Sequence, residues 1–115
     1  IVVGESVRRQ APHFHWQELD RVAVKGKEEA VAIFTPRQPV PHADADSLGR
    51  ELSEWAAFLR AYRQQKWDAC DTALLNLNRL NPDYPLYHCY SARLAERRQL
   101  PLDTTWDGTT RFLSK

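Results

Sequence analysis

The stretch LDRVAVKGKEEAVAIF, Leu19–Phe34, decides how the first half of the chain folds. Val22 and Val24 alternate with polar or small residues before KGKEE, and AVAIF after it is rich in apolar and β-branched residues. Both flanks therefore read as strands. The short polar segment between them contains Gly26, which predicts a β-hairpin. On the residues alone a polar turn accounts for KGKEE, since Gly26 tolerates positive φ and lysines keep a hairpin edge soluble. The competing reading gives one lysine a ligand: an ammonium is a compact point charge suited to phosphate.

Upstream of the hairpin the same strand pattern continues with an interruption. Phe14 and Trp16 alternate, but Leu19 is out of step with them, so a β-bulge is expected near Gln17–Glu18. IVV at the start is a short β-branched run ended by Gly4. ESVRRQA suits a helix of about two turns, broken by Pro12.

Downstream, Thr35–Ser47 carries Pro36, Pro39 and Pro41 and has no apolar periodicity, so it reads as an extended linker and a boundary. Asp46 or Ser47 is expected to cap the helix that follows. Leu48, Leu52, Trp55, Leu59 and Tyr62 then step by 4, 3, 4 and 3 along one helical face. After the polar break RQQK, a second helical stripe runs through Trp67, Cys70, Ala73, Leu74, Leu77 and Leu80. NPDYP ends it, and Pro85 opens a third helix. Leu86, Cys89, Tyr90 and Leu94 form the expected stripe of that helix, and Glu96–Arg98 its last turn. The short connections predict antiparallel neighbours. LPLDTTWDGTTRFLSK is expected to pack back on the helices as irregular structure. Tyr62, Trp67, Ala69, Ala73 and Asn81–Pro82 are similar to one tetratricopeptide-type helical hairpin that lacks the usual Gly before the aromatic.

The 115 residues allow one ordinary domain or two small pieces. Hydrophobic content of 43% and charged content of 27% mark a globular chain. The balance of 16 basic against 15 acidic residues, net charge +1, argues against a nucleic-acid binder. No apolar run approaches the roughly 18 residues that span a bilayer, and no signal pattern opens the chain. Ile1 begins a strand instead of an initiator segment, so an excised part of a longer protein is expected. Cys70 and Cys89 share no ligand spacing and are both read as small buried hydrophobes, consistent with a reducing compartment.

Few residues suggest chemistry. His13 and His15 flank Phe14 and are expected on one face of a strand start, exposed and without a third metal ligand. His42 falls in the linker, and His88 on a helix surface with no nucleophile paired to it. Asp44 and Asp46 read as cap and linker residues, and Trp16, Trp55, Trp67 and Trp106 as packing residues. No catalytic set and no metal site emerges.

The segment IVVGESVRRQ followed by ELDRVAVKGKEEAVAIF resembles the C-terminal end of a class III adenylate/guanylate cyclase catalytic domain. There a strand and short helix precede a hairpin of the form L-D-x-V-x-V-K-G-K-x-x-P-V-x-I-Y. This chain matches at Leu19, Asp20, Val22, Val24, Lys25, Gly26, Lys27, Val31, Ile33 and Phe34, departing in Ala30, where the family usually has Pro, and in Phe34, where Tyr is common. The remainder, including the closing WDGTTRF, is more loosely similar to helical tails of bacterial membrane-anchored cyclases. The resemblance implies conversion of ATP, or GTP, to a 3′,5′-cyclic nucleotide and pyrophosphate in signal transduction. It implies Mg or Mn held by aspartates upstream of this segment, a site completed by a second subunit of a homodimer, and a cytoplasmic location, free or on the membrane face. Of the family's site residues only the phosphate-binding lysine carries over, as Lys25; no catalytic and no metal residue is assigned.

The expected fold is α+β: a strand, helix and β-hairpin, followed by a small antiparallel bundle of about three helices. The expected division is 1–36 for the cyclase segment, 37–47 for the linker and 48–115 for the helical tail. As an alternative to the enzyme reading, the tail is a non-enzymatic module that docks a protein partner.

Overall fold

The computed structural model describes residues 2–24, 30–38 and 45–112. The chain divides into two compact units, Ile1–Val40 together with Gly108–Lys115, and Pro41–Asp107. The architecture is α+β, as the periodicities predict.

In the first unit, β1 (Val3–Gly4) leads into α1 (Glu5–Gln10), followed by β2 (His15–Val24), β3 (Val31–Arg37) and, much later in the chain, β4 (Thr110–Phe112). The sheet order is β1-β3-β2-β4. β3 pairs antiparallel with both β1 and β2, and β4 runs parallel to β2. α1 is short and buries no side chain, so local charge carries it: Glu5 in its first turn and Arg8 and Arg9 in its last suit the helix dipole. Arg8 Nε donates to Glu5 Oε1 at 2.7 Å, and this bond, with the arginine charges, holds the Glu5 carboxyl below its usual range. The Arg8 guanidinium also lies 4.9 Å from the centroid of Phe34, which fastens α1 to β3.

The helical unit contains α2 (Ala45–Arg63), α3 (Trp67–Leu80) and α4 (Pro85–Arg98). α2 packs on α3 and α3 on α4, while rings from α2 meet rings from α4. The expected stripes are buried at Leu48, Trp55, Leu59 and Tyr62 and at Cys70, Ala73, Leu74 and Leu77. Phe58, outside the 4-3-4-3 spacing, is fully buried too, because its ring lies between Trp55 at 5.1 Å and Tyr62 at 5.7 Å. Tyr90 receives Trp55, Phe58 and Tyr62 edge-on at 5.0, 5.5 and 5.3 Å. Burying each such side chain contributes about 1.5–3 kcal/mol, and edge-on ring pairs add about 0.5–1.5 kcal/mol. Trp55 and Trp67 both belong to this core.

The turn between α2 and α3 explains the missing glycine. Lys66 N–H donates to Ala61 O at 2.9 Å and Gln65 N–H to Tyr62 O at 3.1 Å, the bond pair of a Schellman motif. Gln65 occupies its left-handed position with φ 58°, where glycine is usual. Its side chain is recruited in return: Nε2 donates to Asp103 O at 2.7 Å, and Oε1 accepts from Asp103 N–H at 2.8 Å.

Several expectations are corrected. α2 starts at Ala45, so Asp46 and Ser47 lie inside its first turn instead of capping it. α4 buries Tyr87, Tyr90 and Leu94, whereas Cys89 is exposed, because the buried stripe follows the 3- and 4-residue steps from Tyr87. The closing segment has two behaviours. Trp106 packs on the helices, its indole N–H donating to Tyr62 O at 2.9 Å and its ring under Arg97 at 4.0 Å. Residues 110–112 instead form β4 in the sheet, so the second unit ends at Asp107, whereas the sequence reading carried the helical tail to 115.

Candidate functional site: the signature hairpin

The hairpin strands pair from His15↔Arg37 to Val22↔Val31. The register shifts between Glu18 and Asp20, placing the expected bulge at Leu19. Directly opposed residues share a face, so the extra residue keeps Asp20, opposite Ile33, on the same face as Gln17, opposite Thr35. Without the bulge Asp20 would point to the side where α1 lies against Phe34. Pro36 is accommodated because β1 covers β3 only at Ile33 and Phe34, leaving the far end of β3 as an edge.

On the Gln17 face, Arg37 Nη1 donates to Gln17 Oε1 at 2.7 Å, clipping the open end of the hairpin. Asp20 is buried at 6% exposure. Its Oδ1 accepts the Arg21 N–H at 2.8 Å, and its Oδ2 accepts the Thr110 hydroxyl at 2.9 Å. Gly108, with φ 81°, turns the chain toward β4, a conformation that favours glycine. The register Val22↔Thr110, Ala23↔Arg111, Val24↔Phe112 then places β4 along the edge of β2 opposite β3.

Lys25, the expected phosphate ligand, lies outside the described residues, as do Gly26, Lys27, Glu28 and Glu29. Asp44 and His42 lie outside them too. His13 falls in the turn before β2 and only His15 is in the strand, so the two do not form the expected strand pair; both are exposed. His88 is exposed on α4 with Nε2 3.7 Å from Asp83 Oδ1. Among the described residues no group of three His, Cys, Asp or Glu is placed to hold a metal. Burial and the neighbouring Asp71 charge push the Cys70 thiol up to about 12, so it is no nucleophile. Sequence reasoning missed the Asp20–Thr110 pair, since the partners are 90 residues apart and no local pattern links them.

No family model matches the chain, and neither the curated proteins nor the solved structures contain a significant match. No described helix is long and apolar enough to cross a membrane.

Proposed function

We propose that this chain is the C-terminal portion of a class III nucleotidyl cyclase that forms cyclic AMP and pyrophosphate from ATP. The observation that carries the reading is the signature Leu19, Asp20, Val22, Val24, Lys25, Gly26, Lys27, Val31, Ile33 and Phe34, borne by a hairpin that follows a strand and short helix. In the reaction the ribose 3′ oxygen bonds to the α-phosphorus, the bond from that phosphorus to the β-bridging oxygen breaks, and pyrophosphate leaves. The Lys25 ammonium neutralises triphosphate charge. In this reading Mg or Mn would be held, as the resemblance implies, by aspartates upstream of this segment. A homodimer partner completes the site in this reading, and the protein works in the cytoplasm or on the membrane's cytoplasmic face.

The 115-residue chain by itself is expected to make no cyclic AMP from ATP and Mn²⁺. Detectable product from the purified chain would contradict the assignment of metal and base recognition to other segments.

A second reading has its own observation. α3 and α4 flank a groove of about 480 Å³ lined by Leu74, Leu75 and Leu94 and by the paired Asp71 and Arg98. Leu75 is 54% exposed there. A helical module docking a protein partner would use such a groove. Failure of the helical unit to retain any partner, with unaltered activity of the complete polypeptide lacking it, would count against this reading.

A further inference from the structure

Independently of any cyclase activity, we propose that residues 101–107 form a strap that opens as one unit from the folded helices. The notch filled by its Trp106 then takes a tryptophan side chain of a partner peptide. The strap lies between α4 and β4 and has no helix or strand of its own. Its residues are exposed except Trp106, which is half-buried, so one side chain carries its packing. The polar bonds that hold it are equally open to water. Gln65 Nε2 donates to Asp103 O and Gln65 Oε1 accepts the Asp103 N–H, both at exposed positions. Asp103 in turn organises the strap: its Oδ1 accepts the Thr105 N–H and hydroxyl at 2.9 and 2.7 Å, and its carbonyl accepts the Trp106 N–H at 3.1 Å. Little buried apolar surface and solvent-exposed bonds mark a segment that opens below the cost of global unfolding. Bonds centred on Asp103 make its parts open together.

The notch is lined by the helical core. Tyr62, at 4% exposure, is stacked on Phe58 and meets Tyr90 edge-on. Trp106 uses every chemical feature of an indole there. Its N–H donates to the Tyr62 carbonyl at 2.9 Å, its ring meets Tyr62 edge-on at 5.4 Å, and its centroid lies 4.0 Å from the Arg97 guanidinium carbon. A phenyl ring has no N–H for the carbonyl, and an aliphatic side chain has no π face for the guanidinium. Arg97 Nε is buried and has no hydrogen-bond partner among the described residues, so one donor is left for a carbonyl that a partner peptide brings. Trp106 thus holds the partner's place in cis. The affinity seen from outside is the intrinsic one reduced by the fraction of molecules with the strap open.

The test has two arms. In the 115-residue chain, amide hydrogen exchange is read at Asp103, Thr105 and Trp106, with Leu77 in the helical core reporting global unfolding. The strap amides should be at least about tenfold less protected than Leu77. Gln65→Ala should cut protection at Trp106 by the same factor as at Asp103, about tenfold for the two lost bonds. Equal protection at Trp106 and Leu77 overturns the strap; a loss at Asp103 with none at Trp106 overturns its opening as one unit. In the second arm N-acetyl-tryptophanamide is titrated into Trp106→Ala and followed by the amide shifts of Tyr62 and Arg97. Saturable binding is expected, at least about tenfold tighter than that of N-acetyl-phenylalaninamide. Wild type should bind more weakly than the variant, by the protection factor of its strap. Absent binding, equal affinity for the two amides, or equal affinity in wild type and variant overturns the notch. Should Trp106→Ala lose its fold, wild type decides: rising N-acetyl-tryptophanamide should strip protection from the strap amides and spare Leu77, and unchanged strap protection overturns the notch.

Discussion

The Tyr87 hydroxyl donates to Glu51 Oε2 at 2.5 Å, and Asn81 Nδ2 donates to the same oxygen at 3.1 Å. Glu51 is on α2, Tyr87 on α4, and Asn81 follows α3, so one carboxylate at 5% exposure ties all three helices together. A buried carboxylate is tolerated only while its oxygens are hydrogen-bonded. Tyr87→Phe keeps the ring in the aromatic core and removes one donor. It should lower stability by about 1–3 kcal/mol in urea unfolding. In a cycle with Glu51→Gln the two losses should fall short of additive; strict additivity would mean the bond carries no coupling.

Gln65 offers a cleaner separation of strain from contact. Gln65→Gly relieves the left-handed backbone and loses both bonds to Asp103, whereas Gln65→Ala loses the bonds and keeps the strain. The alanine variant should be less stable than the glycine variant by about 1 kcal/mol. Equal melting temperatures would contradict the strained assignment. Exchange at Asp103 should quicken in both.

The two cysteines should behave oppositely. Cys89 is exposed and should react with a thiol reagent in the native protein; Cys70 is buried and should react only on unfolding. Burial raises the Cys70 thiol from 9.0 to about 12, so folding favours its protonated form. That contribution is whole below pH 9, where the unfolded chain also keeps the proton, and is lost as pH rises from 9 toward 12. Cys70→Ala should therefore flatten the alkaline fall in stability measured by urea titration; an unchanged slope would contradict it.

Local periodicity made most of the fold legible. The alternation around Val22 and Ile33 and the 4-3-4-3 steps from Leu48 are short-range signals, and both elements form where they predict. The Leu19 bulge was visible as a broken alternation. β4 was not, because TRF is three residues long and its partner is fixed by Asp20 and by the Gly108 turn, neither of which leaves a periodic trace. The exposure of Cys89 was missed because Tyr87, with its hydroxyl bound to Glu51, takes the buried place that apolarity alone assigned to the cysteine. In the candidate site, the residue singled out from the signature, Lys25, lies outside the described residues, and the Asp20–Thr110 hydrogen bond links positions too distant for sequence reading.

The most direct measurement is the initial rate of cyclic AMP formation against ATP concentration, with Mn²⁺, for the complete polypeptide carrying this segment, as wild type and as Lys25→Ala. Product from the wild type, with a higher KM or lower kcat in the variant, is the predicted result. Product formed with unchanged kinetics in Lys25→Ala would contradict the phosphate role and leave KGKEE a polar turn; no cyclic nucleotide from the wild type would contradict the cyclase assignment itself.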